Sequence, residues 1–417
     1  MQKTMVRRVG ALVLGMALFG AACGDDDDAG TAATTAAPAA ETTAAATETT
    51  AAATDTTAAA GGGGGDLGTP TGATCDGVSL AYFGPLTGDA ANLGINIQKG
   101  AVLAIDLFNA ANPDCQVELV DFDSQGSPDQ APALAAEAIN NEAILGIIGP
   151  AFSGESAATG DAFNEAGLAT VTASATNPTL AENGWATWNR LLGNDALQGP
   201  GVSKYISETL GSTSVFVVDD ASEYGKGLAD IVRGDLGAGA IGSSQVQVGD
   251  TDFSSVVTAA NDSGADTVFF GGYYAEAGLL VKQLREGGFE GTFVAGDGVK
   301  DPGFIDTAGD AAEGAIITCT CAPPELSPDF LAAYQEANGG DDPQTYGAEA
   351  FDAANIFLSG LAEGVTDRAG MVEYARSFTG PGVTKDIAFD DTGEITGGAV
   401  YSFKVEGGVI VGEGLIE

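Results

Sequence analysis

The sequence contains no histidine, and its 15 lysine and arginine residues face 58 aspartate and glutamate residues, for a formal net charge of −43. The lack of histidine excludes histidine-dependent catalytic triads and most zinc sites. The charge argues against nucleic acid and anionic lipid surfaces as partners, because both would repel the chain. We favour the plain interpretation that the acidity serves solubility or adaptation to high salt.

Long apolar runs are also lacking, apart from a short one near the start. Lys3, Arg7 and Arg8 form a basic segment, and residues 9–22 are almost entirely apolar. Such a run is too short to span a bilayer comfortably and is typical of a secretory signal peptide. It ends in Gly20-Ala21-Ala22-Cys23, which resembles a bacterial lipobox, although Gly20 stands where leucine is usual. We therefore expect residues 1–22 to be a signal peptide and Cys23 to be lipidated; the alternative is an ordinary signal peptide with an incidental cysteine.

Residues 23–74 contain almost no large side chains. Four acids at 25–28 precede a threonine- and alanine-rich stretch in which the unit Glu-Thr-Thr-Ala-Ala-Ala-Thr starts at Glu41 and again at Glu48. Since these units have nothing to bury, they cannot offset their own ordering entropy. We predict a disordered tether of about fifty residues, which would extend roughly 40 Å and hold a folded domain clear of a membrane surface.

The remaining cysteines are even in number, which favours disulfides in an exported chain. Cys75 and Cys115 precede the first two predicted strands, which are usually neighbours in a doubly wound sheet, so we predict that they pair. Cys319 and Cys321 then either pair locally or stay reduced. Two thiolates do not complete a tetrahedral metal site, and we expect neither a metal nor a cofactor.

From Cys75 onward, short apolar runs alternate with longer amphipathic segments, and the length favours two domains over one. Strands are predicted at 78–83, 117–121, 144–148, 169–172, 214–218, 244–248, 267–270 and 292–295. Helices are predicted at 95–109, 129–140, 155–166, 198–210, 225–236, 253–263 and 276–286. This alternation predicts an α/β protein with two lobes, each a doubly wound parallel sheet with helices on both faces.

Ligands of such sheets bind beyond the carboxyl ends of the strands. The first lobe presents hydroxyls and backbone N–H groups there, at Ser153, Gly154 and Thr176, whereas the second presents Tyr224, Tyr273 and Asp297. Amides and hydroxyls at a helix start suit a carboxylate, and Asp297 suits an ammonium group. The pattern therefore predicts a zwitterionic ligand, although each residue alone could be a helix cap, a turn residue or a packing residue.

Five segments give this part of the chain a specific resemblance. They are Gly-Pro-Leu-Thr-Gly at 84–88, Thr-Ala-Ser-Ala-Thr at 172–176, Tyr-Gly-Lys-Gly-Leu-Ala at 224–229, Gly-Gly-Tyr at 271–273 and Gly-Asp-Gly-Val at 296–299. In this order and spacing, the chain from Cys75 to Glu417 resembles the leucine/isoleucine/valine-binding protein family, a group of type I periplasmic solute-binding proteins of ABC transporters.

The resemblance implies lobes joined by a three-segment hinge, with crossings near 193–195, 319–323 and 402–406. The first lobe then comprises 75–194 and 323–402, and the second comprises 195–322 and 403–417. It also implies that Ser153 and Thr176 hold the ligand carboxylate, that the Ser174 carbonyl accepts from the ammonium, and that Tyr224 and Tyr273 cover the ligand. Asp297 matches the acid that pairs with the ammonium. Leu93 stands where close relatives carry an aromatic ring, so we expect a wider, more aliphatic side-chain pocket.

These observations together predict an exported protein anchored by lipid to the outer face of the cytoplasmic membrane. It would act as a monomer, close around a branched-chain or other aliphatic amino acid, and deliver it to an ABC permease. The alternative is a sensor of the same fold for amides, urea or aromatic acids. An enzyme is disfavoured, because Ser153 has neither a histidine nor a Ser-x-x-Lys arrangement to activate it. A purely structural surface protein is the remaining possibility.

Overall fold

The computed structural model describes residues 68–416. The predicted signal peptide, the lipidation site at Cys23 and most of the predicted tether lie outside these residues. None of the helices within the described range is long and apolar enough to cross a bilayer.

The first sheet has five parallel strands in the order β2-β1-β3-β4-β5. These are β1 Ser79–Gly84, β2 Glu118–Asp123, β3 Ile144–Ile148, β4 Ala169–Thr172 and β5 Trp188–Arg190. Connecting helices are α1 Ala91–Ala111, α2 Ala131–Asn140 and α3 Ser153–Glu165. Every residue of β3 is buried, as expected of an apolar strand covered by helices on both faces.

The second sheet has seven strands in the order β14-β13-β10-β9-β8-β6-β7. They are β6 Val215–Asp219, β7 Ala240–Gln245, β8 Thr267–Gly271, β9 Thr292–Ala295, β10 Ile316–Cys319, β13 Tyr401–Glu406 and β14 Val409–Leu415. Helix α4 Asp195–Lys204 precedes the first of these strands, and the helices between them are α5 Glu223–Leu236, α6 Ser254–Ser263, α7 Tyr274–Glu286 and α8 Pro302–Ala308. Strands β6 to β10 are parallel, whereas β13 and β14 add an antiparallel hairpin at one edge.

The chain passes between the two sheets more than once. After β10 it forms α9 Pro328–Ala337, α10 Gly347–Ala362 and α11 Arg368–Ser377. Helix α10 packs against α1 and β3, so this segment belongs with the first sheet. A short antiparallel pair, β11 Thr379–Pro381 and β12 Asp386–Ala388, follows it. Residues 402–406, where we expected the last crossing, instead lie within β13, whose residues 401–404 pair with β10, so the chain re-enters the second sheet slightly earlier.

The packing of α10 on α1 depends on one glycine. A Cβ atom on Gly100 would lie 2.0 Å from the carbonyl oxygen of Gly347, so a larger residue would force the helices apart. This contact fixes the start of α10 against the first sheet. It thereby also positions Tyr346, the residue just before α10, which lines the candidate site.

Two cysteine pairs are bonded in the structure. Cys75 and Cys115 join the neighbouring starts of β1 and β2, with Cα atoms 4.4 Å apart. Cys319 and Cys321 join across the end of β10, where the chain leaves the second sheet. The second pair therefore lies at one of the expected crossings.

Candidate functional site

The carboxyl ends of the two sheets face each other across a small cavity. Its lining is Leu93, Phe152, Ser153, Ser174, Tyr224, Tyr273, Asp297, Gly298 and Tyr346. The structure thus brings together six of the eight residues that the sequence predicts for ligand binding. The cavity volume is about 10 Å³, which is space for about one water molecule.

The cavity is narrow because aromatic side chains fill it. Leu93 does lie in its wall, but Phe152 and Tyr346 contribute rings that the sequence analysis did not anticipate. The expectation of a wider, aliphatic pocket is therefore wrong for this structure. The lining contains four aromatic side chains besides Leu93, namely Phe152, Tyr224, Tyr273 and Tyr346, and these leave little space.

Two serines on the first-lobe side are held by backbone groups. Ser153 is the first residue of α3, and its Oγ accepts a hydrogen bond of 3.1 Å from the N–H of Asn177. This contact leaves its proton for donation, and the helix start adds a partial positive charge. The Ser174 hydroxyl donates to the carbonyl of Ala151 at 2.5 Å. The Ser174 side chain is therefore engaged, in keeping with the backbone role that the resemblance implies.

Asp297 lies in a short 3-10 turn directly after β9 and is 1% exposed. The Tyr224 hydroxyl donates to its Oδ1 at 2.8 Å, and the Tyr346 hydroxyl donates to its Oδ2. Burial raises the pKa of Asp297, and the hydrogen bonds from Tyr346 and Tyr224 oppose that shift. Burial and the Asp297 charge also raise the pKa of both phenols well above the ordinary value, so both remain protonated donors.

Asp195 is a second buried carboxylate that sequence analysis treated only as part of a hinge crossing. It is the first residue of α4, is fully buried, and neither carboxylate oxygen makes a hydrogen bond of regular geometry within the described residues. Burial, and then the charge of Asp297, raise the pKa of Asp195 well above its ordinary value. The nearby Thr176 hydroxyl and Arg190 offset this in part.

Thr176 does not line the cavity but lies beside this carboxylate. Its carbonyl accepts from the N–H of Asp195 at 2.9 Å, and its buried Oγ1 has no regular hydrogen-bond partner in the described range. The same is true of the Oε1 atom of Gln198, one turn along α4. Buried polar atoms are normally satisfied, so this group of unpaired atoms around Asp195 is a feature that requires an explanation.

Among the residues that the structure describes, neither carboxylate has a cation in direct contact. The ion pairs found among residues 68–416 involve Arg190, Lys226, Arg233 and Lys404, and none of them includes Asp195 or Asp297. Two buried acids near each other disfavour their own ionised forms. A positively charged group placed between them would relieve both.

A larger chamber of about 870 Å³ lies next to the small cavity. Five acids are part of its lining, namely Asp89, Asp129, Asp220, Glu223 and Glu276. Gly154, which the sequence analysis grouped with the ligand-binding residues, lines this chamber and not the small cavity. Burial raises the pKa of Asp220 to about 7, and its Oδ2 has no hydrogen-bond partner among the described residues.

Contacts between the lobes surround the cavity. The rings of Phe152 and Tyr273 stack with centroids 4.5 Å apart. On one side the Asn177 side-chain amide donates to the carbonyl of Glu223 at 2.8 Å. On the other side the Asn92 amide donates to Asp301 at 2.9 Å. The lobes therefore meet around the cavity in this structure.

Comparison with known proteins agrees with this geometry. A family model described as periplasmic binding protein matches residues 77–409. The chain belongs to this family. The Leu/Ile/Val-binding protein BraC3 of Rhizobium johnstonii is 30% identical over 348 residues, which cover 80% of this chain and 93% of that protein. A leucine-, isoleucine-, valine-, threonine- and alanine-binding protein of Pseudomonas aeruginosa is 29% identical, covering 77% of this chain and 87% of the relative.

Solved structures of the family confirm the predicted fold class. The leucine-binding protein LivK of Thermotoga maritima superimposes with a TM-score of 0.75 at 28% identity, covering 82% of this chain and 99% of that chain. LivJ of Streptococcus pneumoniae, solved in complex with isoleucine, gives a TM-score of 0.73 at 27% identity and covers 80% and 99%. The resemblance to the leucine/isoleucine/valine-binding family, and the type I periplasmic binding protein fold that it implies, are both confirmed.

Proposed function

We propose that this protein binds an aliphatic α-amino acid outside the cytoplasm and delivers it to the permease of an ABC transporter. The observation that carries the proposal is the buried acid pair. Asp297 is held by two phenols, Asp195 lies nearby with neither oxygen in a hydrogen bond of regular geometry, and neither acid forms an ion pair in the described structure. An ammonium group is the part of an amino acid that supplies the missing charge.

The opposite pole of the ligand would lie on the first lobe. The Ser153 hydroxyl, at the start of α3, and the buried Thr176 hydroxyl suit a carboxylate, because hydroxyls donate to it and the helix start carries partial positive charge. The Ser174 carbonyl would accept from the ammonium, and Tyr224 and Tyr273 would cover the ligand. Leu93 would contact its side chain.

Binding would be coupled to closure of the lobes. Asp297 follows a strand of the second sheet, whereas Tyr346 precedes α10, which packs on the first sheet. The two contact each other only when the lobes come together. A ligand favours the closed form by as much as it gains from contacts made there and not in the open form.

The N-terminal segment supports a proposal about export and membrane anchoring. We propose that residues 1–22 are removed on export, that Cys23 carries the lipid anchor, and that residues 23–74 serve as a tether. The folded protein would act as a monomer with both cysteine pairs oxidised, as suits an extracytoplasmic compartment. The lobes would divide near residues 194 and 322, and the last crossing would precede β13, which begins at Tyr401.

We further propose that the protein performs no catalysis. The hydroxyl of Ser153 accepts from a backbone N–H, and the sequence has no histidine to activate it. Recovery of the bound amino acid unchanged after prolonged incubation, measured by mass spectrometry, is the expected result.

Calorimetry with matched ligands tests the charge argument. We expect the protein to bind alanine and leucine but not propionate and 4-methylpentanoate, which lack the ammonium group. Asp297→Asn preserves shape and removes the charge, so amino-acid affinity should fall by several kcal/mol, which is typical of a buried charge left unpaired. The exposed Asp310→Asn is the control and should bind normally. Equal binding of the amine-free acids would favour the sensor alternative and contradict the proposal.

A further inference from the structure

The small cavity and the acidic chamber share one wall. Within residues 68–416, only Phe152 and Tyr273 belong to the lining of both. Phe152 comes from the first lobe and Tyr273 from the second, and their rings stack with an interplanar angle of 29°. The pair thus separates a space of about 10 Å³ from one of about 870 Å³.

The Phe152 half of the wall is held in place by its surroundings. The residue is 5% exposed, and its N–H donates to Glu155 Oε2 at 2.7 Å, which fixes the backbone at the start of α3. The ring lies against Gly126, where a Cβ atom would come within 3.1 Å of the ring. Gly126 has a φ of +71°, a conformation that disfavours a larger residue there.

The Tyr273 half is equally confined. Its ring lies 5.4 Å from that of Tyr224, which is itself bonded to Asp297. On the other side, a Cβ atom on Gly298 would come within 3.2 Å of the Tyr273 ring. Rotation of either ring of the wall would therefore disturb the groups that we assign to the ammonium.

We propose that the Phe152–Tyr273 pair sets the upper size limit of the ligand, so that the site takes α-amino acids with the shortest side chains, such as alanine, in preference to branched-chain ones. This inference rests on the proposed function and narrows its ligand class. A longer side chain must either hold the lobes apart or separate the two rings. Loss of a stacked aromatic pair lowers affinity by roughly twofold to tenfold beyond the loss of buried area.

The acidic chamber on the other side of the Phe152–Tyr273 pair is an unfavourable place for an apolar side chain. The chamber lining carries Asp220 and Glu276, together with three further acids. An aliphatic group there would displace the hydration of carboxylates without pairing them, whereas a cationic group would be attracted. The wall therefore disfavours leucine by size, and removal of the wall should admit lysine more readily than leucine.

Calorimetry on the full-length protein with alanine, leucine and lysine tests the size limit. The wild type should bind alanine at least about tenfold more tightly than leucine. Phe152→Ala should abolish this preference, with leucine and lysine each gaining at least about tenfold relative to alanine, and lysine gaining more. Phe152→Tyr retains the ring and should keep the wild-type order. Thermal melts confirm that each variant folds, and Phe152→Leu provides a second truncation if the alanine variant does not.

Two results would overturn the inference. One is a wild type that binds leucine as tightly as alanine. The other is a uniform loss of affinity for all three ligands in Phe152→Ala, since a pair that only holds the lobes together would act on every ligand alike. Failure of the wild type to bind any amino acid would refute the proposed function itself, so the two failures are distinguishable.

Discussion

Replacement of Asp195 by asparagine should stabilise the ligand-free protein while it weakens ligand binding. Both carboxylate oxygens of Asp195 are buried without regular hydrogen bonds, and burial together with the Asp297 charge raises its pKa well above the ordinary value. Folding at neutral pH therefore requires this group either to take up a proton or to remain charged in an unfavourable place. Asparagine has nearly the same shape and avoids both costs.

The sign and size of the effect follow from linkage. Because the pKa of Asp195 is higher in the folded than in the unfolded protein, its contribution to stability is fully present below the unfolded pKa and declines as pH rises toward the folded pKa. For one group this decline is at most about 1.4 kcal/mol per pH unit. The advantage of Asp195→Asn over the wild type should therefore be smaller at pH 5 than at pH 7. Each kcal/mol of this stability advantage would raise the melting temperature of Asp195→Asn by roughly 2–4 °C, the value for a medium-sized domain.

Differential scanning calorimetry at pH 5, 6 and 7 measures this difference directly. Asp310→Asn, which removes an exposed carboxylate, controls for the change in net charge. In the presence of a saturating amino acid the advantage should shrink, because the ammonium would compensate the wild-type carboxylate. A melting-temperature difference that is the same at all three pH values, or that favours the wild type at pH 7, would refute the assignment of Asp195 as an uncompensated buried acid.

Two further substitutions probe closure and the ammonium site. Asn177→Ala removes the 2.8 Å hydrogen bond to the Glu223 carbonyl on the other lobe. Stopped-flow measurements should then show ligand dissociation that is about two- to tenfold faster, as expected for the loss of one hydrogen bond. An unchanged dissociation rate would mean that this contact does not hold the closed form. Tyr346→Phe removes the donor to Asp297 Oδ2, and amino-acid affinity should fall by about 1–3 kcal/mol in calorimetry because a buried acceptor is left unpaired. Tyr374→Phe is the control and should have no effect on affinity, because Tyr374 lies on α11 and does not line the cavity.

The buried strands were predictable because their composition leaves few alternatives. The apolar run at β3 was predicted with the same bounds as observed, and β4 and β9 likewise, since a strand covered on both faces is rich in apolar and β-branched residues. Strand β7 lies four residues earlier than predicted. Its residues alternate between exposed and half-buried at a sheet edge, so the more apolar segment that follows gave a misleading signal.

The site was predictable only in part, for reasons of distance along the chain. Asp297 and Tyr273 follow predicted strands directly, and their positions at the sheet edge identify them. Tyr346 precedes a helix in a region for which no elements were predicted, and it reaches Asp297 from 49 residues away. Asp195 begins a helix at a lobe crossing, where an acid is ordinarily a favourable helix-start residue. Only the three-dimensional structure shows that its oxygens are buried and unpaired.

The position of Asp297 between the lobes explains how one residue can serve both selectivity and closure. Its carboxylate accepts from Tyr224 of its own lobe and from Tyr346 of the other, so closure adds a donor to it but no positive charge. Closure around a ligand without an ammonium would bury Asp297 and Asp195 together at the full cost of their desolvation. On the proposed function, an amino acid would supply the counter-charge where the phenols complete the site. The closed form would then be selected both by the charge of the ligand and by the fit of its side chain at the Phe152–Tyr273 wall.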